Sequence, residues 1–473
     1  MKHFQYRTLQ DLQQETERLR LKHTGYEPDP EKVKAALGRP VVAGGVKAGN
    51  SMAIHPMEGC DATLDGHPDE LTFRRYERFG RSGAKLIWVE ASAVAEEGKA
   101  NVRQLWLHEA TVGSFAKLLE LTLKVHREEF GSTDDLIAPL QLTHSGRYSV
   151  PKRIIAYHNP VIDKKTNTPA DYPVISDSEL ERLEDIFMAA AGLASKAGFR
   201  SVDIKATHGY LLAELLGAKT RPGHYGGSLE NRTRFISNVC GKIRAKYGKQ
   251  LMLVMRLGCF DGVPYTIDPE TKLGVPLEYP VPYPYGFGVS AENPMEPDLA
   301  EVIEAVRIFR AAGVELINVS AGCPYYNPHV GRPFEKPDEG NYEQPEHPLI
   351  GVDRHFQIAG GLQQAFPDLP MVGTGYSWLQ HFAPNAAAHN IQEGKITFFG
   401  VGRGALAYPE FARELLEKGA WNPLRTCKTL TYCTFLMRQK NHPLGQFPTG
   451  CPPFDKEVYG PIMKEAREVF RSK

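Results

Sequence analysis

Val202-Asp203-Ile204-Lys205-Ala206-Thr207-His208-Gly209-Tyr210-Leu211-Leu212, followed by Arg221-Pro222-Gly223-His224-Tyr225-Gly226-Gly227-Ser228-Leu229-Glu230-Asn231-Arg232, decides how this chain is read. A short β-branched run with period-two alternation predicts a strand. It runs out into Lys205, His208 and Tyr210, which ionise or hydrogen-bond, so chemistry is expected at the strand's C-terminal end. The second segment predicts a turn and a helix start, with Ser228 as N-cap and Asn231 and Arg232 in the first turns.

Working outward, strands are predicted near 51–55, 86–90, 136–142, 201–205, 251–256, 315–319, 370–373 and 397–401. Helical patterns fall between them, among others at 71–83, 178–198, 230–247, 297–313 and 378–394, several ending on Gly. Repeated β-then-α units predict an α/β fold, a (β/α)8 TIM barrel whose functional groups come from the C-terminal ends of its strands. A dinucleotide-binding doubly wound sheet fits less well, because the first strand-helix turn lacks the glycine fingerprint. Three regions are expected: a helical extension over 1–37 around Leu9, Leu12 and Leu19, the barrel over 38–420, and a tail over 421–473 packing on the barrel or on a neighbouring subunit. Two long loop insertions are expected, at about 145–175 and about 260–296. The second holds Pro280, Pro282, Tyr283, Pro284, Tyr285, Gly286 and Phe287, and no regular element is predicted in it.

The opening pair of segments resembles the signature of the Old Yellow Enzyme family, the flavin-dependent NADH:flavin oxidoreductases and ene-reductases, and the likeness extends over about residues 40–420. The resemblance implies FMN at the barrel mouth. A flavin phosphate needs backbone N–H groups and a cation, which Gly373, Gly375, Gly402 and Arg403 would supply after the last two strands. Gln141, in Gln-Leu-Thr-His-Ser-Gly-Arg, matches the glutamine that pairs with the ring's pyrimidine edge, and Arg256 matches the arginine beside N1. Pro56 and Met57, after Ile54-His55, match the loop under the ring, and Ala91 its small neighbour. His144 belongs to the glutamine motif and is expected to line the site.

Tyr210 matches the family's proton-donating tyrosine, and His208 the second member of its carbonyl clamp. Lys205 stands where the first member would be, a departure from the pattern. Its ammonium either holds an anionic substrate of the enoate type, or pairs with an acid such as Glu58 and leaves carbonyl binding to His208, or turns away as a rim lysine. Glu58 and Cys60 follow Pro56-Met57 and are expected to shape the substrate pocket.

The tail resembles that of dienoyl-CoA reductase and trimethylamine dehydrogenase, which carry an iron-sulfur cluster on a Cys-x-x-Cys-x-x-Cys pattern plus a later Cys. Here Cys427, Cys433 and Cys451 remain and Leu430 takes the middle position, so the site reads as degenerate, with no cluster or other metal expected. About fifty residues follow 420, fewer than the dinucleotide-binding domains of those relatives require.

Composition excludes other classes. Fifty-six Lys+Arg against 56 Asp+Glu give a formal net charge of zero among 473 residues, which argues against a nucleic-acid or anionic-membrane partner and for a small-molecule substrate. Hydrophobic content of 42% suffices for a core without any apolar run of membrane-spanning length. Seven scattered Cys and the absence of a signal-peptide pattern point to reduced thiols in a cytoplasmic protein; a homo-oligomer stays open. The expected activity is NAD(P)H-driven, FMN-dependent reduction of an activated C=C bond, hydride coming from flavin N5 and the proton from Tyr210. The alternatives are an oxidative flavin dehydrogenase or demethylase on the same scaffold, and a non-catalytic flavin-binding module.

Overall fold

Ahead of the barrel, β1 (Val41–Ala43) and β2 (Val46–Ala48) pair as an antiparallel hairpin. Its two-residue turn is Gly44-Gly45, with φ of 55° and 79°, a conformation that twists with the strands and that residues bearing Cβ avoid. The hairpin's Val41, Ala43 and Ala48 pack with Ala53, Leu86, Trp88, Met252, Val254, Leu316, Val372 and Phe398, the inward residues of the barrel. Met252 opens its strand, so the hairpin closes the N-terminal end and leaves the C-terminal end for ligands.

In the computed structural model, which describes residues 3–472, the barrel sheet is built from β3 (Met52–Ile54), β4 (Leu86–Ile87), β5 (Val89–Ala93), β6 (Leu140–Thr143), β7 (Ser201–Ile204), β8 (Met252–Gly258), β11 (Val314–Ser320), β12 (Met371–Gly373) and β13 (Phe398–Val401). Between β8 and β11 an antiparallel hairpin joins β9 (Tyr265–Ile267) to β10 (Gly274–Pro276). The sheet order is β4-β3-β13-β12-β11-β8-β7-β6-β5, with every pairing parallel. Only Trp88 separates β4 from β5, so the sheet returns on itself as eight strands, the expected barrel. Outward apolar residues such as Ile54, Leu140, Val202, Leu253 and Ile317 pack under the surrounding helices.

The expected elements recur with shifted ends. The helix after the opening segment runs Leu229–Tyr247, capped by Ser228, whose hydroxyl accepts from the Asn231 amide at 3.3 Å. The helix expected at 378–394 splits into a 3-10 turn, Tyr376–Phe382, and Ala383–Gln392, because Gln380 sits at φ 52°. The third strand begins at Leu140 rather than near 136; Ile137 makes an isolated bridge to Leu86 instead. The β9–β10 hairpin corrects the expectation that 260–296 lacks regular structure. Tyr265-Thr-Ile alternates as a strand should, and Asp268 closes the turn by accepting from the amides of Glu270 and Thr271 at 3.1 and 2.7 Å. The Pro- and Tyr-rich run beyond it stays irregular and buries Tyr283 and Phe287.

Two helices, Leu9–Arg18 and Pro30–Gly38, precede the barrel. In the tail, helices Tyr432–Arg438 and Lys456–Arg471 share a small core of Phe435, Leu436, Phe447, Tyr459, Met463 and Ala466. Asp455 ties that core to the barrel helix Glu70–Gly80, accepting from Arg74 and Arg78 at 2.7 and 2.6 Å.

Candidate active site

One wall of the barrel mouth is carried by strands. Gln141 of β6 lies in register with Asp203 of β7, and the two side chains meet at 2.6 Å. Asp203 also accepts from the Arg256 backbone amide at 2.7 Å and from the Trp88 indole at 3.1 Å. Burial pushes its carboxyl up to about 6, against the lowering by these donors and by the charges of Arg256 and Lys205. Asp203 therefore fixes both Gln141 and the strand that carries Arg256. It went unnoticed in the sequence because a lone polar residue within a strand pattern reads as an ordinary exposed position.

Beyond β7 the backbone turns sharply. His208 and Gly209 both have left-handed φ, 66° and 70°, a conformation that costs a non-glycine residue on the order of 1 kcal/mol or more. Cys323 braces the turn, its thiol donating to the His208 carbonyl at 3.1 Å. Tyr210 then caps the short helix Leu211–Leu216 with its ring turned into the mouth. Burial, reinforced by Glu58 and Tyr325, holds the Tyr210 phenol well above its usual range, so it is protonated at neutral pH. Burial and the charges of Arg256, Lys205 and Arg403 keep the His208 imidazole neutral.

Loops carry the opposite wall. Glu58 accepts from the Lys205 ammonium at 3.1 Å and from the Tyr210 hydroxyl at 3.2 Å. Lys205 is buried, which corrects the reading of a rim lysine, and it pairs with the Glu58 carboxylate; burial pulls its pKa down against the opposing pull of Glu58. Glu58 is itself held by its neighbours. The Gly59 amide donates to Glu90 at 2.9 Å, Arg75 bridges Glu90 at 2.8 Å and Asp61 at 2.6 Å, and the tail's Thr449 amide donates to the Gly59 carbonyl at 2.7 Å. Cys60 lies at φ 49° in this loop, its thiol pushed well above the usual range by burial and by Glu58 and Asp61, which leaves it an unreactive wall group. Tyr325, from the loop after β11, meets the Tyr210 hydroxyl at 3.0 Å.

At the centre of the mouth, Arg256 donates to the Pro56 carbonyl at 3.1 Å, which fixes the loop bearing Pro56 and Met57. His55 meets Asn318 at 3.0 Å, and a Cβ on Gly400 would strike the His55 ring at 2.2 Å, so glycine is required there. Ala91 is buried on β5, its carbonyl accepting from Gln104 at 2.9 Å. Gly375, at φ 92°, starts the turn after β12, and Gly402 and Arg403 follow β13, where Arg403 bonds Thr434 of the tail. His144 is buried beneath the rim, its Nδ1 accepting from the Gly146 amide at 3.2 Å.

Cations dominate this centre. Burial, with the charge of Arg403 acting in the same direction, brings Arg256 and Arg332 each down to about 10, and Asp203 opposes the fall at Arg256. Among the buried donors here, Arg256 Nε, Arg332 Nη1 and the Thr207 hydroxyl have no protein partner. Buried donors are rarely left unpaired, so this set fits a negatively charged ligand rich in acceptors. Arg332, on the long connection after β11, gave no signal in the sequence.

The profile of the NADH:flavin oxidoreductase / NADH oxidase family matches residues 36–270. An NADPH dehydrogenase of Bacillus pumilus is 30% identical over 249 residues, 51% of this chain and 69% of its own length. The chain belongs to this family. A second member, the NADPH dehydrogenase of a Geobacillus species, is 32% identical over 219 residues, 45% of this chain, and this chain spans 60% of that enzyme's length. The old yellow enzyme homologue from Zymomonas mobilis shares the fold, with a TM-score of 0.57 at 20% identity over 81% of this chain and 92% of that one. The family resemblance stated from Tyr210, His208 and Gln141 is thus upheld.

In this family member the three tail cysteines do converge. Cys427, Cys433 and Cys451 line one small pocket together with Arg332 and Arg403. Among the described residues, no group of three His, Cys, Asp or Glu side chains is arranged to hold a metal ion. Nor does any helix among them have the length and apolarity to cross a membrane.

Proposed function

We propose that the chain is an FMN-dependent enzyme that takes reducing equivalents from NADH or NADPH and delivers them to the C=C bond of an activated alkene. One observation carries this reading: the protonated phenol of Tyr210, which follows β7, and the buried guanidinium of Arg256 on neighbouring β8, whose Nε has no protein partner, stand at the same barrel mouth. Bound FMN supplies the hydride chemistry that side chains lack. Gln141, its NH2 committed to Asp203, offers its carbonyl oxygen to a ring N–H. Arg256 would set its positive charge beside the ring, and Gly375, Gly402 and Arg403 would hold the phosphate. Pro56, Met57 and Ala91 line the ring.

His208, neutral, donates to the substrate carbonyl and so polarises the alkene. Tyr210 gives the α-carbon its proton. The Lys205–Glu58 pair carries no net charge, which removes the argument for an anionic substrate and favours a neutral carbonyl compound. All seven cysteines are free, in keeping with a cytoplasmic setting. Heat release of the flavin with chromatographic identification tests the cofactor, FMN being expected. Initial rates at varied NADPH and 2-cyclohexenone are expected to give parallel lines, since both reactants use one mouth in turn; intersecting lines overturn this scheme.

A second reading, an oxidative dehydrogenase that passes electrons on singly, is favoured by the convergence of Cys427, Cys433 and Cys451 on one cavity. A visible absorption band that survives flavin removal would put it ahead.

A further inference from the structure

A tyrosine that gives its proton to carbon is left as a phenolate and must recover a proton before the next turnover. Tyr210 is only 2% exposed, so water does not reach it freely. Its hydroxyl has two partners, Glu58 at 3.2 Å and Tyr325 at 3.0 Å. Lys205 sits over its ring, 3.9 Å from the centroid, and is equally enclosed at 2%. On that side only Glu58 keeps some exposure, 14% of its side chain.

Tyr325 lies on the other side and is 39% exposed. Its ring stacks on that of Tyr148 at 3.9 Å and 12°, so the more exposed of the two groups that bond the Tyr210 hydroxyl is also held in place. The loop carrying it is pinned from the tail, where Arg438 bonds the Pro324 carbonyl and reaches Asp338 at 3.0 Å.

We propose that Tyr325 is the proton entry to the active site, returning to Tyr210 the proton spent on each substrate. The inference rests on the reading of Tyr210 as proton donor. In the resting arrangement Tyr325 donates to the Tyr210 oxygen and Tyr210 donates to Glu58. In turnover the Tyr210 O–H bond breaks as the α-carbon–hydrogen bond forms. The Tyr325 O–H bond then breaks as the Tyr210 O–H bond re-forms, and Tyr325 takes a proton from water or a buffer acid. No electrons move along this chain, and each product carries away one solvent proton. Tyr325 acts through Tyr210 and does not touch the substrate.

The FMN-loaded wild type and Tyr325→Phe are compared with 2-cyclohexenone as the probe. In one anaerobic turnover Tyr210 uses the proton it already holds, so the variant should reoxidise within about threefold of wild type, whereas its steady-state kcat should fall about tenfold or more. Raising imidazole buffer should restore the variant's kcat and leave wild type unchanged. In the flavin-free protein carrying tyrosine labelled at Cζ, Tyr325→Phe should shift the Tyr210 carbon resonance. An unchanged kcat at every buffer concentration, a joint fall of both rates without buffer rescue, or an unmoved Tyr210 resonance each overturns the relay. A wild type whose reduced flavin no alkene reoxidises overturns the alkene-reductase reading itself, and the relay with it.

Discussion

The two walls of the mouth are held by different physics. On the strand wall, Gln141, Asp203 and Arg256 sit on neighbouring parallel strands; Gln141 is level with Asp203, and Arg256 lies two residues beyond Asp203's partner Val254. On the loop wall, Glu58 and Tyr325 have no ladder and depend on buried ion pairs, a stacked ring and the tail. A strand places a side chain through many shared hydrogen bonds; a loop relies on a few strong ones. Single substitutions should therefore separate the walls: losses on the strand side stay local, and losses on the loop side spread to Glu58 and hence to Lys205 and Tyr210.

The largest expected effect lies where the walls touch. Tyr210→Phe should slow alkene-driven reoxidation about 10²- to 10⁴-fold while bleaching by NADPH stays within a few-fold, as measured by stopped-flow absorbance. Equal loss in both half-reactions would mean that the ring, not its hydroxyl, matters.

Next comes the loop wall's anchor. Arg75→Met removes the one cation shared by buried Asp61 and Glu90 and should cost about 3–5 kcal/mol in urea unfolding. Because Glu90 also holds the Gly59 amide, the rate with 2-cyclohexenone should fall more than FMN affinity does. A loss under about 1 kcal/mol would show that the loop stands without its ion pairs.

On the strand wall Asp203→Asn should cost about 1–3 kcal/mol, one of its donors being left unmatched. The pH dependence gives a sharper test. The Asp203 carboxyl is raised to about 6 in the folded chain, so the native state binds its proton more tightly than the unfolded state does. Stability from this group is full below its unfolded value near 4 and is lost as pH rises through about 6. Wild type should accordingly lose stability relative to Asp203→Asn over that window, and a constant difference between the two would contradict the assigned shift.

The smallest effect is expected where the tail meets the cations. Thr434→Val removes the hydroxyl that Arg403 bonds and should change stability by about 0.5–1.5 kcal/mol, with a modest rise in the FMN dissociation constant.

The same contrast explains what could be read from the sequence. Gln141, Lys205 and Arg256 stand in or just after short strands near the barrel's C-terminal end, where functional groups are expected, and the family resemblance supplies the roles of Gln141 and Arg256. Glu58 was legible as one of two partners for Lys205, and geometry was needed to choose. Tyr325, in Cys-Pro-Tyr-Tyr, and Arg332 lie in a long connection without period, where nothing marks one residue over another. Arg75 sits in a helical pattern whose charged residues read as a solvent face, although it is buried. The β9–β10 hairpin was masked by the Pro and Tyr content of its surroundings.

The proposed preference for a neutral activated alkene depends on Glu58 cancelling the charge of Lys205. The direct measurement is anaerobic bleaching of the FMN-loaded protein with NADPH or NADH, followed by addition of either 2-cyclohexenone or crotonate while the flavin spectrum is followed. Bleaching by at least one nicotinamide, with faster recolouring by the enone than by the unsaturated acid, is the predicted result. A flavin that neither nicotinamide bleaches, or one that crotonate reoxidises faster, would contradict it.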